Sequence, residues 1–328
     1  MQKNVGYQMP PTRYNEAGEL RRVGFELEFT SGDFPALARR LAALYDREPQ
    51  KKNPFIYQFD SPWGLFQLEL DAKLLKEQGY RKQIEKLGLE LPPAWTEQFD
   101  QWTLEMAQIF VPQELITPPL PLDQLAQLDR LAETLIEHNS QGTGASFLYA
   151  FGFQFNPEVA QIKARPILNQ LRAFLLHYEA LIQSSQSDLS RRLAPYIRAF
   201  PQEYVRKILD PSYQPDLTAL MDDYLSYNPT RNRPLDLTVL FAQVDQDKVL
   251  SQVAEPDLIK PRPTYHYRLP DSRIDEPGWS LAAEWNRWVK MERLAEDERH
   301  LEQLSLEYLE RPKGLEAWVA QIKAWFEP

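Results

Sequence analysis

The chain has 328 residues, 43% of them hydrophobic and 26% charged, which is enough for a sizeable core in one large domain or two. A formal charge of −10 argues against a nucleic-acid surface, because a phosphate polymer needs a basic patch. The absence of cysteine removes disulfides, thiolate nucleophiles and cysteine-based zinc sites.

That absence also fits a reducing compartment. No run of about 18 apolar residues and no apolar leader is present, so a cytoplasmic chain without a membrane span is expected. His138, His177, His266 and His300 form no His-x-x-x-His pair. Any metal would therefore be a hard cation held through oxygen.

Residues 1–20 are polar, carry Pro10-Pro11 and read as an arm. Arg22 to Phe29 follows, with Val23, Phe25, Leu27 and Phe29 alternating with Gly24, Glu26 and Glu28. This is the period of a strand with one face in a core. Glu26 and Glu28 point the same way, about 6.6 Å apart along the strand. Their repulsion at an effective dielectric near 20 is roughly 2.5 kcal/mol. Either water screens that face or a cation sits between the two carboxylates.

Ser31-Gly32-Asp33 can cap a helix with Phe34, Leu37, Leu41 and Leu44 on one stripe. Phe55–Phe59 and Leu65–Asp71 read as a hairpin separated by five residues. The second strand carries another acid pair, Glu69 and Asp71. Residues 74–91 read as helical, and Trp95–Met106 as a short helix or a lead into the next strand. Ile109–Thr117 reads as a strand with Glu114 as its acid, and Pro112 demotes it to an edge or a bulge. Leu122–Glu137 is a helix by its leucine stripe.

Ser146–Asn156 is strand-like and puts Gln154 and Asn156 on one face. Glu158–Tyr204 reads as helical, interrupted near Pro166 and Pro195, and Asp210–Asp223 as loop and short helix. Asn228–Asp236 is a Pro-flanked extended segment presenting Arg231 and Arg233. The last strand, Thr264–Leu269, places His266 and Arg268 together. Trp279–Glu310 is a long helix and Leu315–Phe326 a short one. No repeat or composition break divides residues 21–328, which read as a single domain.

Four strands thus carry polar faces opposite their apolar ones, with acids early, arginines late and no lysine among these positions. Paired acids hold divalent cations through oxygen, and arginines in extended segments grip carboxylate or phosphate bidentately. Acyl-phosphate chemistry requires both groups. The same arginines could instead pair with the acids, and a wholly solvated sheet face would also be polar.

Gly24-Phe25-Glu26-Leu27-Glu28-Phe29 resembles the opening strand of the carboxylate–amine ligases related to glutamine synthetase and glutamate–cysteine ligase. More closely, the chain resembles the amidoligase family of bacteria and fungi. Val111 to Pro118 is similar to that family's Glu-x-x-Ser/Thr-Pro strand. Gly152-Phe153-Gln154-Phe155-Asn156 falls where the family has Gly-x-His-x-His/Asn. Thr264-Tyr265-His266-Tyr267-Arg268 falls where it has Thr-x-Glu-x-Arg. The ordered motifs span roughly residues 20–295. Gln154 stands where a histidine is usual and His266 where a glutamate is usual, and both changes thin the metal site.

The resemblance implies an α+β fold like that of glutamine synthetase: a curved, mostly antiparallel sheet with helices on its convex side. It also implies an ATP- and magnesium-dependent ligase that phosphorylates a carboxylate for attack by an amine, on a glutamate-like or peptide substrate. Glu26, Glu28, Glu69 and Glu114 are then the magnesium ligands. Asp71 is a further ligand, or else the N-cap of the following helix. Gln154 and Asn156 would face the nucleotide. Arg231, Arg233, Arg268 and His266 would take phosphate or the substrate carboxylate. The alternative is a catalytically silent relative that binds a nucleotide or peptide.

Overall fold

The structure, a computed structural model, describes residues 6–53, 55–70, 112–142, 151–184 and 198–310. The alternation in β1 (Arg22–Phe29) decides its place: Val23, Phe25, Leu27 and Phe29 are buried, while Glu26 and Glu28 are half-buried on the other face. The strands beside it are β2 (Gln50–Asn53), β3 (Ile56–Ser61), β4 (Gly64–Leu70), β5 (Gln113–Ile116), β6 (Leu120–Pro121), β7 (Phe153–Pro157), β8 (Leu235–Asp236) and β9 (His266–Tyr267). Their order is β2-β3-β4-β5-β1-β7-β9-β8, with β6 against the start of β1. Each of these pairings is antiparallel.

Helices cover the apolar face, which makes the class α+β. In chain order they are α1 (Phe34–Ala43), α2 (Gln127–Glu137), α3 (Ala164–Ser184), α4 (Gln202–Leu209), α5 (Leu217–Tyr227), α6 (Thr238–Val244), α7 (Gln246–Leu250), α8 (Leu281–Glu296) and α9 (Glu298–Glu310). Asp33 caps α1 as expected, its Oδ1 accepting the Ala36 N–H at 2.8 Å. Aromatic rings fasten sheet to helix. Phe25 lies 5.8 Å from Phe153, 5.4 Å from Phe155 and 6.4 Å from Trp285 of α8, and Tyr267 lies 5.3 Å from Trp288. Such pairs add roughly 0.5–1.5 kcal/mol each to the area they bury. No helix among the described residues is long and apolar enough to cross a membrane.

Several expected elements are placed differently. Pro112 precedes β5 and costs the ladder nothing, so β5 lies between β4 and β1 and not at an edge. Ser61 pairs with Gly64, whose φ of +133° suits only glycine, so the hairpin turn is tighter than the five-residue link expected. Pro166 occupies the first turn of α3, where its missing N–H has no partner to lose, and the helix runs through it to Ser184. The long C-terminal helix is two, broken at Asp297, which caps the end of α8. The expected helices at 74–91, 95–106 and 315–326 lie outside the described residues, as does Pro195.

The described part of the arm is packed down. Gln8 N–H donates to Asn286 Oδ1 at 2.8 Å, and Trp285 Nε1 donates back to the Gln8 carbonyl at 2.8 Å. Tyr7 donates its hydroxyl proton to Asp129 of α2 at 2.8 Å. Just after the arm, Arg21 reaches under β1 to α8 and forms a two-pronged pair with Glu292, both prongs 2.8 Å.

His177 of α3 is buried, with Nδ1–H donating to the Ala173 carbonyl at 2.6 Å. Burial pushes its pKa down to about 4. A denatured chain would titrate near 6.5. Between those values the denatured state holds a proton that the native state lacks, so stability falls as pH drops through that window. The expected loss reaches about 3 kcal/mol by about pH 4. Urea unfolding of His177→Leu should show that part of the pH dependence flattened; an unaltered slope would place the titration elsewhere.

Candidate active site

The sheet register builds the polar face strand by strand. Glu69 of β4 is paired with Glu114 of β5, and Glu114 is paired on its other side with Glu28 of β1. Directly opposed residues have Cβ atoms about 5 Å apart and share a face, so three glutamates stand in one row. Each adjacency costs on the order of 3 kcal/mol before screening, at an effective dielectric near 20. The side chains are at present turned toward neighbours. Glu28 accepts the Gly152 N–H at 2.8 Å and Gln154 Nε2–H at 3.3 Å. Glu69 accepts from Gln67 Nε2 at 2.5 Å. Among the described residues no three carboxylate or imidazole groups already converge to hold a metal ion. Asp71 lies outside the described residues.

One step back along β1, Glu26 opens a second network. Asn156 Nδ2 donates to Glu26 Oε1 at 2.8 Å, and Arg262 Nη2 donates to Asn156 Oδ1 at 2.6 Å. Arg262 Nη2 is also 3.9 Å from Glu26 Oε1. His266 Nε2 lies 2.8 Å from Gln154 Oε1 and must donate there, which leaves the Nδ1 lone pair facing Nη2 of Arg262 and of Arg268, each at 3.4 Å. Burial, and then the charges of Arg268, Arg262 and Arg231, hold the imidazole pKa well below its usual value. It is neutral, and its 4.0 Å approach to Glu26 is no ion pair.

Asp236 is fully buried. Its Oδ1 accepts the N–H and hydroxyl of Thr238 at 2.8 and 2.6 Å, while Oδ2 faces Arg268 Nη2 at 3.8 Å without a hydrogen bond. Burial raises its pKa, with Arg268 pulling the other way. Arg231 has its proton affinity lowered by burial and by Arg268, opposed by Asp236, Glu255 and Glu26. Its Nη1 donates to the Leu258 carbonyl at 3.4 Å.

Arg233 does not join them. Its guanidinium donates to the carbonyls of Arg198 at 3.1 Å, Ala199 at 2.5 Å and Tyr227 at 3.2 Å, and lies 5.6 Å from the Phe200 ring centre. Two arginines at i, i+2 share a face only in a straight strand, and the chain bends at residues 230–231 and again at 233–234. Glu26, Glu28, Gln154, Asn156, His266 and Arg268 are brought together, with Glu69 and Glu114 in the adjoining row, while Arg231 turns to the Leu258 carbonyl. Arg262 and Asp236 were not singled out from the sequence. Arg262 sits in Pro261-Arg262-Pro263, the same proline-flanked setting that drew attention to Arg231.

Residues 19–290 match the family model described as "Putative amidoligase enzyme". The match takes in every described strand and most of α8. The chain belongs to this amidoligase family. No curated protein matches it.

Proposed function

We propose that the chain is an ATP- and magnesium-dependent carboxylate–amine ligase that works through an acyl phosphate on a glutamate-like or peptide carboxylate, in the cytoplasm. One observation carries the reading: Glu69, Glu114 and Glu28 stand in register on the face that also bears Arg262 and Arg268. Amide formation from free acid and amine is uphill in water, so phosphoryl activation is the chemical reason for such a pairing of charges. A sheet that curves as in glutamine synthetase, with its helices on the convex side, would hold these groups in one hollow.

The donor set fits a hard cation. Glu28, Glu69 and Glu114, with Glu26 beside them, would hold magnesium, and Glu26, Glu28 and Glu69 would rotate away from the amides they now bond to. Bound there, the metal would supply charge neutralisation of a polyphosphate. The protein's own groups do the rest. Gln154 and Asn156 fix the carboxylates of Glu28 and Glu26 by their amide protons and would turn toward the nucleotide. Arg231 and Arg268 would steady the oxygens of the transferring phosphoryl group or the substrate carboxylate.

A second reading rests on the Gln154–His266 pair, which departs from the family pattern at both positions: a silent relative that binds a nucleotide or peptide without turnover. Release of ADP and phosphate separates the two. The ligase reading expects release that needs magnesium, a carboxylate and an amine together. ATP-induced thermal stabilisation without release on any substrate pair would favour the silent binder. A melting curve unmoved by millimolar magnesium–ATP would remove both, since a ligand at 100 times its Kd adds about 2.7 kcal/mol.

A further inference from the structure

A cleft of about 360 Å³ lies between α3, α9 and the link from α4 to α5, within the roughly 300–1,000 Å³ of ligand pockets. Residue spacing builds two of its walls. Arg165, Asn169 and Arg172 fall at i, i+4 and i+7 on α3, and Glu298, Glu302 and Ser305 do the same on α9. Phe174 of α3, whose ring packs 5.9 Å from that of Tyr267 in β9, lies about half a turn round the helix from Arg165. The cleft is therefore across α3 from the sheet and its polar face. Its α9 wall also lies beyond the residues that the family model matches.

Arg172 is only 7% exposed. Its Nε donates to the Ile208 carbonyl at 2.7 Å, and Nη2 donates to the carbonyls of Asp210 and Tyr213, each at 2.8 Å. These bonds satisfy carbonyls at and just past the end of α4. They use three of the five N–H groups of a guanidinium. The two on Nη1 bond to none of the described residues, and Arg172 lines the cleft. Its acceptors are neutral, so its charge is left whole, and the rigid fork aims the spare donors.

Glu302 faces it from α9. This carboxylate is exposed and has no hydrogen bond among the described residues, yet it acts on both Arg165 and Arg172. Arg165 is already committed to Glu298, at 2.5 and 2.7 Å. Among the charges that line the cleft or act on Arg172, Arg165, Arg172 and Arg299 are matched by Glu298, Glu302 and Asp210. A lone anion or a lone cation would upset that balance, whereas a zwitterion keeps it.

We propose that this cleft binds a free, neutral α-amino acid, with Nη1 of Arg172 taking its carboxylate and Glu302 its ammonium group. Arginine suits the carboxylate because two parallel N–H groups can meet its two oxygens. The site is separate from the polar face, and its occupancy does not rest on the ligase reading.

The test uses the full chain without ATP or magnesium. Thermal shift with L-serine, L-asparagine, L-glutamine and L-leucine finds the tightest of the four. Titration calorimetry then measures that amino acid beside its N-acetyl and carboxamide derivatives, acetate and methylamine. The natural chain is expected to bind one equivalent of the amino acid, and each derivative, lacking one of the two charges, about tenfold or more weakly. Glu302→Gln is expected to lose a similar factor, and its exposed, unbonded side chain puts the fold at no risk. Arg172→Lys is the second variant, since one ammonium cannot serve three carbonyls and a ligand together. Circular dichroism and the melting curve check that both are folded; should Arg172→Lys fail to fold, Glu302→Gln decides alone. An amino acid held at the polar face would be untouched by Glu302→Gln. Binding of none of the four, acetate or methylamine binding as tightly as the amino acid, or an affinity unchanged in either folded variant overturns the proposal. Turnover is no part of the readout, so the ligase reading can fail while this site stands.

Discussion

Glu114→Gln is expected to abolish magnesium-dependent turnover, by a factor on the order of 10²–10³ or more, while the fold survives. The position is the middle of the row, with Glu69 on one side and Glu28 on the other. Glutamine keeps the length of the side chain and one acceptor oxygen, and replaces the other oxygen and the charge with a neutral NH2 donor. A cation held between three carboxylates then loses its central partner, and the outer two cannot reach across β5 to replace it. The companion measurement is the melting curve: magnesium should raise the melting temperature of the natural chain and leave Glu114→Gln nearly unmoved. Full ligase activity in this variant, or an undiminished magnesium response, would detach the row from the chemistry.

The largest effect on stability is expected at Arg21 and Glu292, far from that row. Both are nearly inaccessible, at 2% and 6% exposure, and every polar atom at the junction is spoken for. Arg21 also donates to the Thr12 and Glu158 carbonyls at 2.7 Å, and Glu292 accepts the Trp288 indole proton at 2.6 Å. Removing one partner strands the other charge in a low-dielectric interior. Arg21→Ala should therefore cost about 3–5 kcal/mol, or about 10 °C in Tm. Arg21→Met/Glu292→Leu should cost clearly less than the sum of the single losses, because neither charge is then left alone. Urea unfolding of the three variants decides it; strict additivity would show that packing, not charge, holds the junction.

This junction was invisible in the sequence, where Arg21 and Glu292 are 271 positions apart. What could be read was local. The alternation in β1, the acid at position 69 and the helix stripe of α2 follow from side-chain periodicity, which each segment carries by itself. Polar faces could be assigned strand by strand, yet the register that sets Glu69 beside Glu114 depends on how strands meet across the sheet. Pro112 misled because one residue decides whether a proline lies in a ladder or just before it. Arg231 and Arg233 looked equivalent until the bends between them turned one to the Leu258 carbonyl and the other to the carbonyls of Arg198, Ala199 and Tyr227. Arg262 carried no periodic signal, since only its place beside Asn156 makes it part of the group.

The central position of β1 fixes an order of events during synthesis. Its carboxylates leave the ribosome early, but the side chains that bind and balance them arrive much later: Asn156 follows Glu26 by 130 positions, and His266 follows Gln154 by a further 112. Until the segment with Arg262 and Arg268 emerges, the nascent chain carries its acids without these two guanidinium groups. No growing fragment that ends before residue 262 can therefore assemble the whole constellation, and completion waits on β9, last in chain order of the described strands.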